Sequence, residues 1–169
     1  ISHRPGVQKD GEHGLWDAHG KVKNLARAVR EVAEHSGNVW TPVVALRRED
    51  AERLGYDSAE SWRALVNASV CDIAQAYKIQ PDNLRWYAAF HQKPNQVHIH
   101  MILFSADPRE GYLTKEGIRQ VKSAFARRIY HADRMHIYQQ KDIARQELQT
   151  RTRKAMVECI AQLEHGSVD

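Results

Sequence analysis

Chemistry in this chain is concentrated in one stretch, His91-Gln92-Lys93-Pro94-Asn95-Gln96-Val97-His98-Ile99-His100. Side chains alternate between the faces of a strand, so His98 and His100, two residues apart, point the same way. The flanking runs, Trp86 to His91 and Val97 to Phe104, are rich in aromatic and β-branched residues and are joined across Pro94-Asn95, which predicts a hairpin. A tight hairpin would return the His91 ring to the other two. Three imidazoles converging on one face can hold a divalent metal ion and leave coordination positions open, as catalytic sites do. The plainer alternative is three strand histidines paired with backbone groups. Two same-face histidines in an otherwise apolar strand would then bury polar rings without evident partners, at a cost in free energy. Metal ligation by His91, His98 and His100 is therefore the expectation, with manganese, magnesium and zinc all open.

The rest of the chain has to position that hairpin. Its 169 residues suffice for one domain with a real core, and the 42% apolar, 27% charged composition is ordinary for a soluble protein. The longest apolar runs are strand-sized, which excludes a membrane-spanning helix. The first residues have no apolar stretch of signal-peptide type. They also lack an initiator Met, so the chain is expected to be a piece of a longer protein. Cys71 and Cys159 match no metal or redox spacing and are expected to be reduced, buried thiols. A net charge of +4 leans towards a polyanionic partner such as nucleic acid.

In chain order, residues 1–20 are punctuated by five Gly or Pro residues and read as an irregular entry loop, with Leu15 and Trp16 tucked against the domain and His13 near the site. An amphipathic helix follows over 21–36, with Val22, Leu25, Val29, Val32 and Ala33 inward and Gly37 as its stop. Residues 38–47 read as a strand in which Pro42 removes a ladder donor, which places it at an edge or bulge. A short helix over 50–54 ends at Gly55. A longer one over 58–78 has Trp62, Leu65, Val66, Ser69, Ile73 and Tyr77 as its buried stripe. After the hairpin, Thr114 caps a helix to about Tyr130 with Ile118, Val121, Phe125 and Ile129 inward. A long helix over 134–162 has a polar middle, Gln149 to Lys154. Together these describe an α+β domain with a central antiparallel sheet containing strands near 38–47, 84–92 and 97–104.

The site chemistry that suits such a hairpin is phosphoryl transfer. A metal ion would polarise a phosphate oxygen, and a tyrosine could attack phosphorus to form a covalent phosphotyrosine. Glu49 or Asp50, at the end of the 38–47 strand, is the candidate carboxylate to orient a ligand imidazole. Arg47, Arg48, Arg85 and Lys93 are the candidate phosphate contacts, with plain surface charge as the alternative for each.

His91, six residues, His98, one apolar residue and His100 resemble the third motif of the conjugative relaxases of the HUH endonuclease superfamily. More of the chain resembles the MobL-type (MobP-like) mobilisation relaxases: Arg4-Pro5-Gly6-Val7, His13-Gly14-Leu15-Trp16, Gly37-Asn38-Val39-Trp40, Leu46-Arg47-Arg48-Glu49-Asp50-Ala51, Leu84 to His91 and Gly111-Tyr112-Leu113-Thr114. The resemblance implies the RRM-like palm of that superfamily and a single nicking domain over 1–169. It implies an enzyme that nicks one strand of plasmid or mobile-element DNA at a transfer origin, stays on the 5′ end and later rejoins it. Its partners would be single-stranded origin DNA and relaxosome accessory and coupling proteins. The enzyme would act as a monomer in the bacterial cytoplasm, without membrane insertion. His91, His98 and His100 would be the metal ligands and Asp50 or Glu49 the acidic helper.

In such relaxases the nucleophilic tyrosine is expected in a first motif, here upstream of Ile1 together with a further strand, because no tyrosine precedes Tyr56. Within the chain, Tyr138 is the candidate. Replication initiators and transposases of the superfamily place a helical tyrosine after the histidines, and Lys141 would share its helix face. Two other readings stand beside this one. Without its nucleophile the chain would be a metal- and DNA-binding module that does not cut. A histidine-triad nucleotide hydrolase would need a further histidine where Ile102 stands.

Overall fold

The structure, a computed structural model, describes residues 13–165. The Arg4-Pro5-Gly6-Val7 segment and the first part of the expected entry loop lie outside the described residues. The elements are β1 (Leu15–Asp17), β2 (Gly20–Lys21), α1 (Leu25–Ala33), β3 (Val39–Trp40), β4 (Val43–Arg47), α2 (Arg48–Leu54), α3 (Ala59–Ala68), α4 (Val70–Ala76), a 3-10 turn at Pro81–Asn83, β5 (Leu84–Lys93), β6 (Gln96–Ser105), α5 (Lys115–Ile129) and α6 (His131–His165). The chain divides into two compact units between Ile129 and Tyr130. The first carries the whole sheet among the described residues.

The fold is α+β, built on an antiparallel sheet in the order β2-β1-β5-β6-β3, with β4 also paired to β6. β6 is therefore central, as its apolar character on both faces predicts. Pro42 does what its missing N–H requires. It splits the expected 38–47 strand into β3 and β4 on the edge of the sheet, while its carbonyl still accepts the Met101 N–H at 2.9 Å.

One face of the sheet presents Trp86, Ala88, Phe90, Val97, Ile99, Met101 and Leu103, all buried. Trp16 joins them from β1, edge-on to Trp86. α3 packs on β5, and α5 on α3 and α4. The inward residues of α3 and α4 are the expected stripe, Trp62, Leu65, Val66, Ile73 and Tyr77, with Ser69 buried between them. The helix expected over 58–78 breaks at Ser69, whose hydroxyl donates back to the Leu65 carbonyl at 2.8 Å, a local bond that competes with helix continuation. At Gly117 an added Cβ would stand 2.4 Å from the Ala76 carbonyl oxygen, so only glycine lets α5 approach the end of α4 this closely.

The opposite face is covered in part by α1. Leu25 and Ala28 pack there with Leu15, Val22, Ala89 and Tyr87. Three expectations need correction on this side. The entry loop contains two strands, because Leu15 and Trp16 pair with Ala89 and Ala88 of β5. The helix expected from residue 21 begins at Leu25, where the Asn24 side chain caps it by accepting the Arg27 N–H at 2.9 Å. Its inward stripe is Leu25, Ala28 and Val32, leaving Val29 59% exposed. Gly37 lies beyond the helix end. A Cβ there would stand 2.6 Å from the Pro108 carbonyl oxygen, so the glycine serves a close approach of two loops. On α5 the inward positions are Gly117, Ala124, Phe125 and Ile129, and Ile118 faces solvent. Both cysteines are free, as expected, but exposed rather than buried; Cys71 lies off the buried stripe of α4 formed by Ile73, Ala74 and Ala76.

Candidate metal centre

The strand register assembles the three histidines. His91 sits directly opposite His98, and His100 sits opposite Ala89, two residues back along β5. All three side chains therefore leave the same face of the sheet. Their ring centroids form a near-equilateral triangle, 5.1 Å between His91 and His98, 4.7 Å between His91 and His100, and 5.1 Å between His98 and His100. One nitrogen from each lies within 4.8 Å of the others. Among the described residues this is the group of donors able to share one metal ion.

His91 and His98 are buried and His100 is half-buried, so the centre is open on one side. Burial pushes the His98 imidazole below its ordinary pKa, and the neighbouring His100 and Lys93 act in the same direction. The neutral ring is the form that donates a lone pair to a metal. Among the described residues the buried Nδ1 of His98 has no hydrogen-bond partner. A divalent ion fits this donor set: three imidazoles on paired strands, with an exposed side left for other ligands.

The other candidates fall in different places. Arg47 pairs with Gln96 and Lys93 lies across from the same residue, both exposed and both on the histidine side of the sheet. Lys93 is two residues from His91, about 7 Å along the strand. Arg85, by contrast, does not flank the centre. It is six residues up β5, about 20 Å away, where its guanidinium donates to the Asp82 and Leu84 carbonyls at 2.7 and 3.0 Å. Arg48 is also turned to the protein: Nε donates to the Pro94 carbonyl at 2.8 Å and Nη2 to the Lys93 carbonyl at 2.5 Å. Nothing in the sequence around Arg48 signals that role, because its acceptors are brought from 45 residues away by the fold.

Glu49 and Asp50 occupy the first turn of α2, and Asp50 accepts from Arg53 at 3.2 Å. His13 uses Nδ1 to accept the Leu15 N–H at 3.2 Å and is not in the converging group. Tyr87 shares the histidine face but belongs to the α1 packing cluster, where its hydroxyl donates to the Glu31 carboxylate. Burial and that acidic acceptor push its pKa well above the ordinary phenol range, so it stays a neutral phenol. Tyr138 lies on α6, in the second unit, and is 52% exposed.

The hairpin thus brings three imidazoles together on an antiparallel sheet, with cations exposed at its tip. The sequence profile of the MobL relaxases matches residues 16–166, nearly the whole chain, and the protein belongs to that family of DNA mobilisation relaxases. No curated protein and no solved structure matches the chain. Among the described residues no helix is long and apolar enough to cross a membrane.

Proposed function

We propose that this chain supplies the catalytic palm for metal-dependent, site- and strand-specific nicking and rejoining of DNA at a transfer origin, through a phosphotyrosine intermediate. The observation that carries the proposal is the triangle of imidazoles on β5 and β6 in a chain of the relaxase family. His91, His98 and His100 would hold the ion, which when bound acts as a Lewis acid on a phosphate oxygen. Glu49 or Asp50 would orient an imidazole from outside the ligand set.

Arg47 and Lys93, exposed beside the centre, would take the phosphates of the single strand, making affinity fall with salt. A tyrosine oxygen would form a new bond to phosphorus as the bond to the 3′ oxygen breaks, leaving a free 3′-hydroxyl. The reverse reaction rejoins the strand, since the phosphotyrosine conserves the ester. Within this chain Tyr138, with Lys141 one turn on, is the nucleophile to test. A bacterial cytoplasmic enzyme working with relaxosome and coupling proteins follows from the same proposal.

The test incubates the protein with labelled single-stranded origin oligonucleotides and manganese or magnesium, followed by a denaturing gel. A covalent adduct that His98→Ala abolishes is expected. Loss of the adduct in Tyr138→Phe assigns the nucleophile, and persistence there excludes it. No metal uptake by the wild-type protein, with His98→Ala indistinguishable from it in every assay, would sink the mechanism.

A further inference from the structure

We infer that Arg48 is a positioning residue for the metal centre: it clamps the β5–β6 turn from outside and thereby sets the geometry of the His91–His98 pair. The inference rests on the metal-centre proposal above and assigns Arg48 a task other than phosphate binding.

The turn between β5 and β6 is unusual for its length. Lys93 pairs with Gln96, leaving a two-residue loop, Pro94-Asn95. Two-residue hairpin loops favour turn types with positive φ at the first central residue, because those match the twist of the flanking strands. Proline is locked near a φ of about −65° and cannot adopt them. Among the described residues Lys78 is the non-glycine residue with positive φ, so Asn95 does not adopt one either. The local chemistry of the loop therefore does not secure the tip of the hairpin that carries all three histidines.

Arg48 does. As the first residue of α2 it binds three consecutive carbonyls of the tip. Its Nη2 and Nε donate to Lys93 and Pro94 at 2.5 and 2.8 Å, and its own backbone N–H donates to Asn95 at 3.2 Å. Glu52, one turn along α2, accepts from Nη1 at 3.5 Å. The planar guanidinium fork spans two adjacent carbonyls at once, which a lysine cannot reproduce. On the next rung of the ladder, the Gln92 amide donates to the Asp57 carbonyl at 2.9 Å, a second tie to the segment that begins with α2.

The apolar face formed by Val97, Ile99, Met101 and Leu103 protects β6 against a one-residue slip. It does not fix how the last rungs of the ladder are oriented. Lys93 and Gln96 form the first rung from the loop, and His91 and His98 the third. A carbonyl clamp at the loop acts on those rungs first.

The experiment compares wild type, Arg48→Ala, Arg48→Lys and a core control, Ile73→Val, on the opposite side of the sheet. Each is titrated with Mn²⁺ or Co²⁺ by calorimetry, and the Co²⁺ visible spectrum is recorded. Amide hydrogen exchange over residues 90–99 is followed without metal. Arg48→Ala is expected to bind metal about 10–100-fold more weakly, the range seen when groups that orient metal ligands are removed. Its Co²⁺ bands should shift and exchange should quicken at the tip. Arg48→Lys should recover only part of the affinity, and Ile73→Val should lower thermal stability without moving affinity or spectrum. Metal affinity of Arg48→Ala or Arg48→Lys within twofold of wild type overturns the positioning role, as does an equal loss in Ile73→Val. Wild-type protein that binds no metal defeats the metal centre itself, a result distinct from either.

Discussion

The β5–β6 hairpin and the helix α6 contain the same chemical currency in opposite conditions. Each carries histidines and a tyrosine: His91, His98, His100 and Tyr87 on the hairpin, His131, His136 and Tyr138 on the helix. On the hairpin the strand period of two and the cross-strand register bring three ring centroids to within 5.1 Å of one another, and burial pushes the His98 imidazole below its ordinary pKa. On the helix, residues five apart point in different directions. His136 is exposed and exchanges a hydrogen bond with Gln140, one turn away, at 3.0 Å. Residue type sets what a group can do, and the register decides whether it meets others.

The sharpest way to break that contrast is to remove one imidazole from each region. His98→Ala should weaken Mn²⁺ or Co²⁺ binding by more than about 100-fold in a calorimetric titration, since removing even orienting groups outside the ligand set costs about 10–100-fold. Binding within a few-fold of wild type would mean that the triangle holds no ion. Next in size is the packing beneath the centre. Phe90→Ala, at a fully buried position between the histidine-bearing rungs, should cost about 3–5 kcal/mol in urea unfolding. Gly117→Ala should cost about 1–3 kcal/mol, because its Cβ meets the Ala76 carbonyl backbone and α5 must move to admit it.

A smaller effect is expected at the far end of the hairpin. The Glu110 carboxylate accepts from Ser105 Oγ at 2.7 Å, the Gln80 N–H at 3.2 Å and the Asn83 amide at 3.3 Å. The Ser105 hydroxyl, followed by the Gln80 N–H and the Asn83 amide, holds it below the usual carboxylate range, against partial desolvation. Its folded pKa lies below its unfolded one. The stabilisation is therefore present above the ordinary carboxylate range and is lost as pH falls through that range towards the lowered value. Glu110→Gln should flatten this acid limb of thermal stability; an unchanged pH profile would remove the carboxylate from the account. The smallest effect belongs to α6. His136→Ala should change stability by no more than about 0.5 kcal/mol and leave metal affinity untouched. A loss of metal binding there would erase the contrast between the two regions.

Much of this molecule is legible in residue order. The alternation of Trp86 to His91 and of Val97 to Phe104 predicts the strands, their pairing and the shared face of His98 and His100, and all appear in the register. The stripe from Trp62 to Tyr77 predicts the buried side of α3 and α4. Pro42 announces a strand at an edge or with a bulge, and the structure puts it at the edge, split there into β3 and β4. Legibility fails where a short segment depends on a distant partner. Leu15 to Asp17 looks like loop because its flanking glycines outweigh three residues of strand, yet β5 supplies the pairing that makes it β1. Val29 looks inward by spacing alone, but once Asn24 sets the helix start, Ala28 takes the inward place.

Residue order by itself determined the hairpin, the three imidazoles on one side of it and the core that lies on the other, because period-two alternation is a property of the strand backbone. It also carried the family to which the chain belongs. Only the tertiary structure decided which cations stand at the centre. Arg47, Arg48, Arg85 and Lys93 are alike as letters. The fold leaves Arg47 and Lys93 exposed at the tip, sends Arg85 to the far end of β5, and turns Arg48 inward on the turn carbonyls. The physical reason is that a guanidinium goes where backbone acceptors lack partners, and which acceptors those are is settled only when distant segments meet.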